Sequence, residues 1–149
     1  MRAFLSGLML ALVIGCSMPT VDVGTIDQKL PPAEKDLVAP KVDKDIDAVG
    51  LYARVKGRTD KNEQGKVYVL VNPLSNPDTR NVWWVQREVS RKEDTFEATA
   101  QFGEESVGLG EYFAIVVVAT DREFTVGEML TGIPEKATYT KLKIVKRKP

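Results

Sequence analysis

The sequence predicts an all-β fold, an antiparallel sandwich of six to seven strands over residues 49–149, preceded by a signal peptide and a flexible tether. Three observations carry this. From Val49 onward, apolar residues either alternate with polar ones or gather in short β-branched and aromatic runs, as in half-buried and fully buried strands. Turn-forming clusters separate the runs: TDKNEQG, NPLSNPD, RKED and GEESVGLG. No stretch sustains the 3.6-residue repeat of an amphipathic helix. A domain of about 100 residues can bury a core without disulfide staples.

Residues 1–15 read as a signal peptide. Arg2 precedes an apolar run that ends at Gly15, the layout of a secretory leader. The run is shorter than the roughly 20 residues of a membrane-spanning helix. Val13, Ile14 and Gly15 lead into Cys16, the only cysteine in the chain. This VIGC stretch resembles the lipobox of bacterial lipoproteins. The resemblance implies that Cys16 receives a diacylglyceryl group, that a peptidase recognising Val13, Ile14 and Gly15 cuts before it, and that the new amino terminus is acylated. Each buried CH₂ contributes about 0.8 kcal/mol, so two or three chains make a lasting membrane anchor. Ser17, rather than Asp, follows the cysteine. In similar lipoproteins of Gram-negative bacteria this implies the outer membrane.

Residues 16–48 hold the anchor cysteine and then a segment expected to be a disordered tether. Pro19, Pro31, Pro32 and Pro40 supply four of the chain's 8 prolines, aromatics are absent, and the apolar residues are single and scattered. Such a composition offsets little of its ordering entropy. Fully extended, at about 3 Å per residue, it would reach nearly 100 Å.

The strands follow in order. VGLYARVKG alternates, with Val49, Leu51, Ala53 and Val55 on one face. KVYVLVN is a continuous apolar run, NVWWVQREV follows, and TFEATAQFG puts Phe96, Ala98, Ala100 and Phe102 on one face. EYFAIVVVAT is the most apolar stretch and should be a central strand. REFTVGEMLTGIPEK predicts a short strand or a turn of helix, and ATYTKLKIVKRK closes the fold. The lysines of that last strand are expected to guard a sheet edge, with contact to anionic lipid or lipopolysaccharide, or attraction to the acidic tether, as alternatives.

The adjacent Trp83 and Trp84 must point to opposite faces of their strand. Trp83 shares a face with Val85 and Val89, so it is expected in the core, with Trp84 outward. A tryptophan on the third predicted strand, together with VYVLVNP, FG and GEYFAIVVVA, resembles immunoglobulin-like and fibronectin-III-like sandwiches, and more closely a β-sandwich domain of uncharacterised membrane-attached prokaryotic proteins. The resemblance implies a fold and carries no activity. The immunoglobulin cysteine pair is absent.

Composition narrows the function. Lys and Arg number 21 and Asp and Glu 21, so no global field draws the chain to nucleic acid. There is no histidine, which removes the commonest general base, the His-activated nucleophiles and Cys/His zinc sites. DKNEQG imitates the start of a calcium loop, but the twelfth position, which should be Glu, is Val71. It is expected to be a hairpin loop between the first two strands. GLGEYF lacks the third glycine and the helix of a phosphate loop. Glu104 with Glu105, and Asp121 with Glu123, flank strand ends as solvated acids. The expectation is therefore a non-enzymatic envelope lipoprotein, with no cofactor and no metal. Its membrane contact would be the lipid, and its partner an envelope protein bound through an exposed Trp84 flanked by Gln86 and Tyr68. The alternative partner is an envelope glycan stacked on Trp84.

Overall fold

Strands β3 (Tyr52–Thr59) and β7 (Thr95–Gln101) show strict alternation of buried and exposed residues, whereas β4 (Lys66–Pro73) and β8 (Tyr112–Thr120) are buried almost throughout. The first pair therefore has one wet face, and the second is covered on both. The computed structural model, which describes residues 17–75 and 77–149, resolves this into an all-β sandwich. One sheet has the order β1 (Thr20–Ile26), β3, β7, β6 (Ser90–Lys92). The other has the order β2 (Asp47–Val49), β11 (Lys143–Arg147), β8, β4, β5 (Val82–Glu88), β9 (Met129–Thr131), with β10 (Thr138–Tyr139) also on β8.

Two apolar clusters result. The inter-sheet core holds Val55, Val69, Phe96, Phe102, Ile115, Val117 and their neighbours. The second lies on the outer face of the larger sheet, where Leu70, Trp83, Val85, Val116 and Val118 meet Leu37, Leu130 and Tyr139.

Several expectations are corrected. The sheets are mixed rather than purely antiparallel, because β1 runs parallel to β3 and β2 parallel to β11. More strands form than the six or seven expected: β1 arises inside the expected tether, and β2, β6 and β10, of two or three residues each, are too short to carry a periodic signal. Residues 17–48 are not a free tether. Val21, Val23 and Ile26 are buried in the inter-sheet core, and Leu37 is 2% exposed in the outer one. The strand's alternation, TVDVGTI, is broken at Gly24, whose φ of 78° accompanies a register shift against β3. Facing it, Gly57 has room for no side chain: a Cβ there would lie 2.4 Å from the Gly24 carbonyl oxygen. Burial against a core made elsewhere offsets the entropy that these residues could not offset among themselves.

The basic strand β11 is not an edge, since β2 and β8 flank it. Its lysines instead hold the acidic segment: Lys143 pairs with Asp47 at 2.8 Å and Lys146 with Asp43 at 2.7 Å. The Tyr112 hydroxyl also donates to Asp43. DKNEQG is no hairpin loop, because β3 and β4 belong to different sheets. Its turn is held by Asp60, whose side chain accepts from the Asn62 N–H, and by Arg91, which donates to the carbonyls of Glu63 and Gly65. Trp83 is buried, as expected, though not between the two sheets. It packs on the outer face of the larger sheet, opposite Leu130. The signal peptide expected over residues 1–15 and the lipobox expected at Val13, Ile14, Gly15 and Cys16 lie outside the described residues.

Candidate functional site: the cleft beside Trp84

A cleft of about 790 Å³ opens where the two sheets part on the β5 side. Unequal ladders create it. β6 pairs with β7 only from Lys92↔Thr95 to Ser90↔Glu97, so Thr99 and Gln101 lie beyond the end of that ladder. In the β4–β5 ladder Leu70 faces Val85 while Tyr68 faces Glu88, which leaves one extra residue in β5. Such a bulge re-aims side chains. Here Gln86 and Arg87, neighbours in sequence, both line the cleft with Trp84.

The remaining wall is the loop of residues 103–110, and its shape is built in. Gly103 and Gly108 adopt φ of 78° and 91°, and a Cβ on Gly103 would lie 2.2 Å from the Val107 carbonyl oxygen. Arg147, only 3% exposed, reaches into this loop. It donates to the carbonyls of Phe102 (2.8 Å), Val107 (2.5 Å), Glu105 (3.1 Å) and Glu104. Burying a guanidinium is costly, and these charge-assisted bonds compensate it. Arg147 is thus a fastener for one wall of the cleft.

The lining is mixed. Tyr52, Trp84, Val107 and Val126 present exposed apolar surface, with Trp84 at 41%, while Arg87, Thr99, Gln101, Glu104 and Glu111 supply polar groups. Opposite Trp84 in the β5–β9 ladder stands Met129, also exposed. Among the described residues no group of three or more His, Cys, Asp or Glu is arranged to hold a metal ion.

The structure brings together two of the three residues expected to form the interaction site. Trp84 and Gln86 share the cleft, but the Gln86 amide is already engaged. Its Oε1 accepts from the Gln101 N–H at 2.8 Å, and its Nε2 donates to the Trp84 carbonyl at 3.3 Å. Gln86 therefore ties β5 to the end of β7 and positions Trp84. Tyr68 is elsewhere. It is buried, packs edge-on against Phe124 at 5.1 Å between ring centres, and accepts from the Phe124 N–H. Its ring borders a separate hollow of about 410 Å³ with Lys66, Arg91 and Glu123. Sequence reasoning missed Tyr52, Arg87, Gln101 and Val107 as one lining, because loop geometry and the bulge join them. It also missed Arg147, for which a signal existed: Arg147 and Val145 stand two apart on a strand and share a face.

The chain matches no family model, no curated protein and no solved structure.

Proposed function

We propose that this chain is a non-enzymatic, lipid-anchored protein of a bacterial cell envelope that binds a partner protein through the Trp84 cleft. One observation carries the binding role: Tyr52, Trp84, Val107 and Val126, four exposed large apolar side chains, gather round one concavity. Scattered singly they would need no explanation, but collected at a rimmed cleft they make the kind of surface on which interfaces are built. The anchor is supported by the VIGC stretch and Cys16, and the absence of histidine supports the non-enzymatic reading. A second reading, an envelope glycan as ligand, is favoured by two aromatics, Tyr52 and Trp84, standing beside Arg87, Thr99 and Gln101 in the same cleft.

The test replaces Trp84 with a photo-crosslinking amino acid in living cells. A discrete heavier protein band supports the interface and supplies the partner for identification. Sedimentation with purified cell-wall sacculi, lost in Trp84→Ala, would favour the glycan. Neither adduct nor sedimentation would remove the cleft from consideration as a binding site.

A further inference from the structure

The strand register gathers several distant parts of the chain at one end of the sandwich. The Pro19 carbonyl accepts from the Arg54 N–H at 2.8 Å, and Thr20 pairs with Arg54. Two residues before Arg54, Tyr52 pairs with Gln101, which leads into the loop of residues 103–110. At the same end, Val49 pairs with Arg147, and the Gly110 N–H donates to the Arg147 carbonyl at 3.0 Å. The opposite end carries the turn after Thr59, whose N–H donates to the Asp94 carbonyl.

That first end is unusual in what it exposes. Val107 and Leu109 are 57% and 48% exposed on a loop whose backbone is fixed by three left-handed glycines and by Arg147. Met18 and Tyr52 are exposed beside the entering chain. A loop that merely turned the chain would not need apolar side chains held outward by a buried guanidinium. The length of the preceding chain suggests what they meet. Only Ser17, Met18 and Pro19 follow Cys16 before the ladder begins, a reach of about 11 Å at full extension.

We propose that this end of the sandwich is a membrane-contacting face, with Met18 and Leu109, which lie outside the cleft lining, seated in the interfacial layer of the bilayer that holds Cys16. The inference rests on the lipidation of Cys16 proposed above. Glu104 and Glu105 stand on the same loop, so the contact is one of apolar insertion, not of attraction to anionic headgroups. The row Thr20, Arg54, Thr99 crosses the smaller sheet from the anchored strand to the wall of the cleft, two strand spacings or about 10 Å. The Trp84 cleft therefore opens close to the lipid surface, and its partner is one presented there.

The test uses the full chain, processed and lipidated by a bacterial host and reconstituted into phosphatidylcholine vesicles. Cys16 is the only native cysteine, and with its thiol blocked by the diacylglyceryl thioether, Leu109→Cys and Asn62→Cys each accept a single environment-sensitive fluorophore. On reconstitution the label at Leu109 should shift to the blue and lose most of its quenching by aqueous iodide, while the label at Asn62, at the far end, stays quenched. Met18→Cys should behave as Leu109→Cys does. Equal quenching at both ends, in a chain whose mass shows diacylglyceryl on Cys16, overturns the membrane-contacting face and leaves the anchor standing. A chain without that mass overturns the anchor and this inference with it.

Discussion

Trp83 fills the outer cluster with no exposed surface, and its Nε1–H meets no acceptor among the described residues. Truncation there should be costly and partial truncation much less so. Trp83→Ala is expected to lose about 3–5 kcal/mol. Trp83→Phe should lose only about 1 kcal/mol, because removing the unpaired donor offsets part of the lost packing. Trp84→Ala should stay within about 1 kcal/mol of the parent. Urea denaturation of the three variants checks the order. A second residue sets a pH dependence. Hydrogen bonds from Lys146, and then from Tyr112, hold the Asp43 carboxyl below the ordinary value of 3.8. A carboxyl depressed in the folded state contributes stability that is present above 3.8 and disappears as the pH falls through the lower folded value. Asp43→Asn should therefore be less stable than the parent near neutrality, with the gap closing as acid protonates Asp43. Parallel denaturation series across pH would show whether the curves converge.

Among the elements, the segment before Val49 contributes most beyond its own length. It supplies two parallel strands and Leu37, which helps cover the outer face of β4 and β8. A chain begun at Val49 should lose cooperative thermal unfolding and bind a hydrophobic dye, and Leu37→Ala in the full chain should cost about 2–4 kcal/mol. A sharp transition in the shortened chain would show the segment to be dispensable. The strands themselves were largely legible: alternation marked β3 and β7, and unbroken apolar runs marked β4 and β8 as central. Those unbroken runs also demanded a cover on the second face, yet its source was hidden. Leu37 is one leucine among charged residues and prolines, and no periodicity announces a residue that packs singly. The cleft was half legible for a similar reason. That Trp83 and Trp84 take opposite faces follows from strand alternation, but the bulge that adds Arg87, and the loop that adds Val107, depend on pairing between segments far apart in sequence.

At the scale of the whole molecule, the closing strand is fastened to the short segment that leads into β3. Val145, Lys146 and Arg147 pair with Asp47, Ala48 and Val49, and the Lys148 N–H donates to the Val49 carbonyl at 2.9 Å. This arrangement brings the entering strand, the cleft and the apolar loop to one pole of the sandwich. It also has a consequence for biosynthesis. A polypeptide synthesised amino terminus first delivers β2 roughly a hundred residues before β11, its ladder partner among the described residues. Contacts so distant in sequence form late. The larger sheet therefore stays unzipped along that margin until residues 143–147 have been made, and during that interval the half-built domain presents an open strand edge to any other chain nearby.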